Sequence, residues 1–365
     1  MWYDAPRRFS RSQAELGNEK LPLLAAPHAK TYNFVSFFIR HTYASFGQAR
    51  IAQVVNYRKF SNADPPRLQE AWNEIFTGRG AVLLHTITPL DRYILSKPYF
   101  DPNGLILAED NGACVGFAHA GLSFSSQPSR GVVCIFGVRP SFRKQGIGTE
   151  LLKRSEAYLK EKGAQIICAG EEGCANPFYL GLYGGSDSPG ILRSDADANP
   201  FLTRHGYQVD RQILVLQRDL TKPLKVADPR FAGLRNRYDV RVRSPRKLDT
   251  LAQECSIGQV DPLEFYLQEK QSKAVIAHAL AWEMEGFSWR WKHPSVGLTG
   301  FRVEPMVRKQ GLGKFLLFTL LKQLQEQYCE IVEVHIHENN QEAPVFLRTL
   351  GFNQVDVGQV FVKRS

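Results

Sequence analysis

An eleven-residue motif with the pattern V-x-P-x-x-R-K-Q-G-[IL]-G occurs twice in the chain, and each copy carries a basic pair followed by two glycines. The copies begin at Val138 and Val303, a constant offset of 165 residues. Glycines let a backbone approach a ligand closely, and the free N–H groups at the start of a helix attract negative charge. Such a loop predicts an anion site, with a diphosphate as the expected guest.

Two other phosphate-binding loops are excluded by single positions. The dinucleotide fingerprint G-x-G-x-x-G needs a third glycine, where the chain has Leu151 and Leu316, and the P-loop pattern needs Ser or Thr at Phe315. The residues predicted to bind the anion are Val138, Arg143, Lys144, Gln145, Gly146, Ile147 and Gly148 in the first copy, and Val303, Arg308, Lys309, Gln310, Gly311, Leu312 and Gly313 in the second.

The segments around the motif repeat as well. Each copy stands between a strand-like run and an amphipathic helix, and a second strand, a segment ending in Gly-aromatic and a last strand follow. The predicted apolar faces are Ile147, Leu151, Leu152, Tyr158 and Leu159 in the first helix, and Leu312, Leu316, Leu317, Leu320, Leu321 and Leu324 in the second. We predict two copies of one α/β domain, with an N-terminal extension at 1–46, domain 1 at 47–220, a linker at 221–236 and domain 2 at 237–365.

The loop resembles motif A of the GNAT N-acetyltransferase superfamily, which reads [RQ]-x-x-G-x-[GA] after V-x-P. The segments Ala198 to Tyr207 and Asn340 to Phe352 are similar to that family's motif B. The resemblance implies two tandem GNAT-like domains, each a mixed, mostly antiparallel sheet flanked by helices, in a layout similar to that of the mycothiol synthases. It further implies that the loop amides bind the diphosphate of acetyl-CoA, that the preceding strand pairs with the pantetheine arm, and that Asn340 belongs to the cofactor site.

The chain also departs from that family. The motif B tyrosine, which in the family commonly protonates the departing CoA thiolate, is replaced by Leu202 and Leu347, and Asp195 stands in domain 1 where Asn340 stands in domain 2. Neither strand before the motif, at 131–138 or 296–303, carries an Asp or Glu that could act as a base.

Domain 1 has about 20 more residues than domain 2 after its post-helix strand, beside the thioester position expected from the resemblance. Because this insertion holds Glu171, Glu172, Tyr179 and Tyr183, we expect the acceptor amine in domain 1. Glu172 is the predicted base, and the two tyrosines are the predicted acids. The alternative interpretation is a solvated glutamate pair and tyrosines that only pack.

His335 and His337 alternate with apolar residues on the domain 2 strand, so both face one side of it. Without a third ligand nearby, we interpret them as surface histidines or as hydrogen-bonded core histidines. No metal site is predicted.

Composition limits the partners. The 365 residues are 43% hydrophobic and carry a net charge of +10, which favours an anionic partner such as nucleic acid, an acidic membrane surface or a phosphate-rich cofactor. No nucleic-acid-binding module is recognisable, and no apolar run approaches the length of a membrane span. Six cysteines without C-x-x-C spacing and an N-terminus without an apolar leader favour reduced thiols and a cytoplasmic location.

The functional hypothesis is direct transfer of acetyl from acetyl-CoA to a primary amine, without a covalent enzyme intermediate. The alternative is a non-catalytic pair of acyl-CoA-binding domains, which the missing tyrosines favour. The oligomeric state stays open.

Overall fold

The structure is a computed structural model, and it describes residues 55–124, 129–225, 228–244, 248 and 250–363. The predicted N-terminal extension at 1–46 and the first residues of predicted domain 1 lie outside the described residues.

The strands follow the predicted repeat. The first half forms strands β1 Asn56–Lys59, β2 Leu105–Asp110, β3 Ala113–Leu122, β4 Arg130–Val138, β5 Ile166–Ala169, β6 Ile191–Leu192 and β7 Gln208–Asp219. The second half forms β8 Tyr238–Arg243, β9 Leu263–Glu269, β10 Val275–Glu283, β11 Ser295–Val303, β12 Ile331–His337 and β13 Asn353–Lys363.

The helices cover the faces of these strands. They are α1 Pro65–Ile75, α2 Thr88–Leu90, α3 Ile147–Glu161 and α4 Ala198–Arg204, then α5 Arg230–Arg237, α6 Leu251–Cys255, α7 Glu285–Trp291, α8 Leu312–Glu326 and α9 Glu342–Arg348. The apolar faces predicted for α3 and α8 are confirmed, since every residue named for them is buried. Helix α5 occupies much of the segment predicted as a linker, and the division into domains 47–220 and 237–365 stays a prediction.

All thirteen strands join one sheet, along the order β1-β2-β3-β4-β5-β13-β7-β12-β11-β10-β9-β8, with β6 paired beside β13. Among the described strands only β4–β5 and β11–β12 run parallel, which confirms the predicted mixed, mostly antiparallel α/β architecture. The last strands of the two halves are exchanged. Strand β13 lies between β5 and β7 of the first half, and β7 in turn pairs with β12 of the second half.

Each long helix packs on strands of its own half, α3 on β3 and β4 and α8 on β9 and β10. Leu151 and Leu159 of α3 and Leu316 and Leu320 of α8 have no exposed surface. In the described part of the chain, no helix has the length and apolar character needed to cross a membrane.

Candidate functional site

The two motif loops have the same backbone geometry. Gly146 and Gly311 both lie in the left-handed region with φ of +84°, which costs a side-chain-bearing residue about 1–2 kcal/mol but suits glycine. Each glycine directly precedes a fifteen-residue helix, α3 or α8, and no side chain caps either helix. The first N–H groups of both helices therefore have no partner within their helix and are suited to bind an anion.

An arginine in each loop forms a hydrogen bond with the last residue of the preceding strand. The Arg143 Nε atom donates to the carbonyl of Val138 at 3.1 Å, and Arg308 donates to Val303 over the same distance. The Nη1 atom of Arg143 is also paired with Asp197 at 2.9 Å, where both side chains are exposed. Exposed ion pairs contribute less than about 1 kcal/mol, so this guanidinium can exchange its carboxylate for a ligand phosphate.

The two loops differ in what lies beside the glycine. A Cβ atom added to Gly146 would meet no described atom within 4 Å, whereas one added to Gly311 would lie 2.9 Å from the Cζ of Arg230. Arg230 begins α5 and donates to both carboxylate oxygens of Asp228, at 2.8 and 2.7 Å, and Lys314 lies 3.5 Å from the same carboxylate. Hydrogen bonds from Arg230 hold the pKa of Asp228 well below its usual range.

The second loop therefore has two further cations, Arg230 and Lys314, and the single carboxylate of Asp228 offsets one of their two positive charges. Arg230 could not be identified from the sequence, because this residue lies far from the loop along the chain and in a segment predicted to be a linker.

Each loop stands at the end of an opening between two parallel strands. Strand β4 pairs with β5 as far as Val133 opposite Ala169, and β11 pairs with β12 as far as Leu298 opposite Val334. Just beyond these points β4 and β11 each hold one residue more than the antiparallel strand on their other side. Because the parallel pairing ends at these points and a bulge follows, the main-chain groups beyond them lack a partner in the parallel strand and suit an extended ligand.

The insertion of the first half closes over the opening of the second half. Three contacts join them: the Ser186 N–H donates to Glu333 at 2.9 Å, the Thr299 hydroxyl donates to Asp187 at 3.0 Å, and Glu172 lies 3.9 Å from His337. Sequence analysis placed the insertion beside the thioester position of domain 1. In the structure it also lines the opening between β11 and β12.

The two glutamates of the insertion have different surroundings. Glu171 has no exposed surface and is paired with Arg130 at 3.3 Å and with Arg211. Glu172 accepts from Arg211 at 2.7 Å and is the glutamate that reaches His337. Burial raises the pKa of Glu172, and the nearby His337 opposes that shift. Of the predicted pair, Glu172 is therefore the one close to the second opening.

Both predicted tyrosines are enclosed. The Tyr179 hydroxyl is 3.0 Å from Nδ1 of His119, and its ring stacks on Trp72 with centroids 5.9 Å apart. The Tyr183 hydroxyl donates to Asp195. Burial raises the pKa of both phenols well above the usual value, so both are protonated at neutral pH. These surroundings favour the packing interpretation, and proton donation by either tyrosine stays a prediction.

The motif B positions lie in packed surroundings. Leu202 and Leu347, which replace the family's tyrosine, are 0% and 3% exposed and have apolar neighbours. The Asn340 side-chain oxygen accepts from the N–H of Ala343 at 3.0 Å, which caps the start of α9. The role predicted for Asn340 in cofactor binding stays a prediction.

Comparison with known families and relatives agrees with this geometry. The model of the acetyltransferase (GNAT) family matches residues 67–183 and 231–352. The mycothiol acetyltransferase of Propionibacterium freudenreichii is 33% identical over 90 residues, which is 24% of this chain and 28% of that protein. The mycothiol acetyltransferase of Thermobispora bispora is 32% identical over 143 residues, 37% of this chain and 46% of that protein. The chain thus spans less than half the length of these curated relatives.

Solved structures share the fold at low identity. A tandem GNAT protein from the clavulanic acid biosynthesis pathway has a TM-score of 0.60 at 15% identity, covering 85% of this chain and 98% of its own. A GCN5-related N-acetyltransferase from Sphaerobacter thermophilus has a TM-score of 0.57 at 17% identity, covering 85% and 95%. At such identities the similarity establishes the architecture alone.

Proposed function

Because the chain belongs to the GNAT acetyltransferase family, we propose that it transfers an acetyl group from acetyl-CoA directly to a primary amine. The observation that carries this proposal is the twin loop, in which a left-handed glycine precedes an uncapped helix at the end of a strand that has left its parallel neighbour. The loop amides bind the diphosphate of acetyl-CoA, and the opened strand binds its pantetheine arm.

Direct transfer requires a neutral amine, a polarised carbonyl and a proton for the departing thiolate. The amine nitrogen bonds to the acetyl carbon, the carbon–sulfur bond breaks, and the proton lost by the amine passes to the CoA thiolate. A covalent acyl-cysteine intermediate is disfavoured at two of the described thiols. Burial raises the pKa of Cys114 and Cys329 to about 12, so both are protonated and poor nucleophiles at neutral pH.

We further infer that the acceptor site lies at the second opening rather than within domain 1, where the sequence led us to expect it, because the insertion of the first half contributes Glu172 and Asp187 there. Their carboxylates lie beside His337 and Thr299 of the second half. Negative charge at this position favours an acceptor that arrives as a primary ammonium ion. The partial similarity to two mycothiol acetyltransferases supports acetyl transfer but does not identify the acceptor.

The alternative proposal is a non-catalytic protein that binds acyl-CoA. It is favoured by Leu202 and Leu347, which bury aliphatic side chains where the family has a hydroxyl that protonates the thiolate.

One pair of measurements separates the two proposals. Isothermal titration with acetyl-CoA measures binding, and a free-thiol assay with a panel of primary amines measures transfer, with the matching alcohols as controls. Binding together with amine-dependent thiol release supports the transferase. Binding without release by any amine supports the non-catalytic protein, and absence of both contradicts the two proposals together.

A further inference from the structure

A buried carboxylate–imidazole pair lies on β12 at the mouth of the second opening. Glu333 and His335 are two residues apart and face the same side of the strand, with the Glu333 Oε1 atom 3.1 Å from Nε2 of His335. Glu333 has no exposed surface, and the His335 side chain is 5% exposed. Pairs of this kind are uncommon inside proteins unless further hydrogen bonds hold the carboxylate.

Glu333 has such bonds. It accepts from the Ser186 N–H at 2.9 Å and from the Gln217 amide at 2.7 Å, and Arg79 lies 3.4 Å away. Burial acts to raise its pKa, but the hydrogen bond from His335 and the nearby charges outweigh that effect and lower it. Glu333 is therefore an ionised acceptor, held by both halves of the chain.

An ionised carboxylate cannot donate, so Nε2 of His335 must carry the proton of their shared hydrogen bond. In the neutral imidazole this places a free lone pair on Nδ1. That Nδ1 atom is buried and has no hydrogen-bond partner among the described residues. Leaving a buried acceptor unpaired costs about 1–3 kcal/mol, so the position calls for a ligand that brings a proton.

The location fits an acceptor amine. Val334 is the last β12 residue paired with β11, and His335 is the first residue beyond it. On the opposite strand Thr299 holds the equivalent place, next to the bulge of β11, and it is joined to Asp187 of the insertion.

We propose that Nδ1 of His335 is the proton acceptor for the attacking amine and that Glu333 fixes its tautomer and stabilises the resulting imidazolium. The proposal rests on the proposed acetyl transfer and deepens it. An ammonium substrate gives one proton to Nδ1, the neutral amine then attacks the thioester, and the carbon–sulfur bond breaks as the nitrogen–carbon bond forms. The second amine proton passes to the CoA thiolate, and His335 returns its proton to solvent.

Other charged groups around the pair contribute to its pH dependence. Arg79 lies between Glu333 and Asp356, at 3.4 and 3.9 Å, while Glu172, His337 and Asp187 lie further along the opening. Since a protonated imidazole cannot accept a proton, the proposal requires kcat to fall on the acid side of the pH profile.

The test compares the pH profiles of kcat for the wild type, His335→Gln, Glu333→Gln and His293→Gln. His293 is the matched control, because it forms another histidine–glutamate pair, with Glu330 at 2.6 Å, at the opposite end of the β11–β12 pair. We expect His335→Gln to lower kcat at least a hundredfold and to abolish the acidic limb, with acetyl-CoA affinity and KM for the amine changed less than threefold. Glu333→Gln should lower kcat and displace the limb, and His293→Gln should match the wild type.

Two results overturn the proposal. One is a His335→Gln variant that keeps the wild-type kcat and acidic limb while the wild type releases thiol with an amine. The other comes from nitrogen-15 NMR of the wild-type protein and therefore does not depend on whether a variant folds. A neutral His335 ring that is protonated on Nδ1 rather than on Nε2 would overturn the proposal. If the wild type binds acetyl-CoA but releases no thiol with any amine, the proposed function fails and this assignment fails with it.

Discussion

Gly146 is a residue at which the proposed binding of acetyl-CoA depends on backbone geometry. Its φ of +84° is unfavourable for any side chain, and the space beside it is open among the described residues. A valine there would strain the turn and place a branched side chain where a diphosphate must approach. We expect Gly146→Val to weaken acetyl-CoA binding at the first loop at least tenfold, about 1.4 kcal/mol, by isothermal titration.

Gly163 provides the control for strain. It follows α3 with φ of +82° and also has no described atom within 4 Å of an added Cβ, but it lies at the end of the helix remote from the loop. Gly163→Val should cost similar stability and leave acetyl-CoA affinity unchanged. Equal affinities for both variants and the wild type would remove the first loop from the binding site.

The buried tyrosines of the insertion are expected to support stability rather than turnover. Replacing Tyr183 with phenylalanine leaves the half-buried Asp195 carboxylate without its hydroxyl donor, which costs about 1–3 kcal/mol of unfolding free energy. Tyr179→Phe removes the partner of His119 at a similar cost. Chemical denaturation should detect both losses while kcat stays within threefold of the wild type. A hundredfold loss of kcat in either variant would instead establish the proton-donor role predicted from the sequence.

Asp101 makes stability depend on pH. Its carboxylate is 2.7 Å from Lys162, just beyond α3, and accepts from Tyr158 at 3.1 Å. Although partial burial acts to raise it, the hydrogen bonds from Lys162, from the backbone and side chain of Asn103, and from Tyr158 lower the pKa of Asp101 from 3.8 to about 2. Because the folded value is the lower one, the stabilisation is complete above the unfolded value near pH 4 and is lost as the pH falls through 2.

We therefore expect Asp101→Asn to lower the unfolding free energy by about 1 kcal/mol at pH 7, after allowance for solvent screening. Near pH 2 the substitution should leave the unfolding free energy unchanged. Urea denaturation at both pH values measures the difference. Asp261→Asn is the control, since Asp261 is 85% exposed where it pairs with Arg92. A difference that persists unchanged at pH 2 would assign the effect to packing.

The strand, the loop and the helix of each half were predictable from the repeated motif. The spacing of apolar residues in α3 and α8 predicts which face of each helix is buried, because those residues lie on one face only. The exchange of β7 and β13 was not predictable for a physical reason. Two copies of one domain offer equivalent edges, at β5 and β12, and alternating sequence alone does not decide which last strand pairs with which edge.

The same limit applies to the site. The loops followed from glycine and arginine spacing, whereas the contact of Arg230 with Gly311 and the bonds from Ser186 and Gln217 to Glu333 join residues distant in sequence. No periodicity encodes such contacts.

Helix α5 gives the second loop charged neighbours that the first loop lacks among the described residues. Asp228 pairs with both Arg230 and Lys314 beside the second loop, so an entering diphosphate must compete with a carboxylate that is already in place. The Arg230 side chain is 52% exposed but the Asp228 side chain only 4%, so this pair is intermediate between an exposed ion pair, which contributes less than about 1 kcal/mol, and a buried one. We expect Asp228→Asn to raise acetyl-CoA affinity at the second loop up to about fivefold and Arg230→Ala to lower it.

Titration in a Gly146→Val background isolates the second loop. Asp219→Asn is the control, because it breaks an exposed ion pair with Lys222 away from the loop. Identical affinities for Asp228→Asn, Arg230→Ala and the control would show that α5 takes no part in binding.

The net charge of +10 favours an anionic partner. We assign it to the CoA phosphates, since each loop has an Arg-Lys pair and the second adds Arg230 and Lys314. We therefore expect weak duplex DNA binding that disappears at physiological salt, as measured by fluorescence anisotropy across a salt series. Binding that persists there with a slope near −0.9 per phosphate contact would show a nucleic-acid surface.

The exchanged strands predict how the molecule unfolds. Phe361 belongs to the last strand of the second half, yet it has no exposed surface and packs with Val133, Leu159 and Tyr207 of the first half. Neither half can complete its sheet alone, because β13 separates β5 from β7 and β7 pairs with β12.

We therefore expect differential scanning calorimetry of the protein to show one unfolding transition for the two halves, with a ratio of van't Hoff to calorimetric enthalpy near one. Phe361→Ala should remove about 3–5 kcal/mol and lower that whole transition without splitting it. Phe315→Ala, in the core of the second half, should have the same effect. Two resolved transitions, with Phe361→Ala shifting one and Phe315→Ala the other, would show that the halves fold independently despite the exchange.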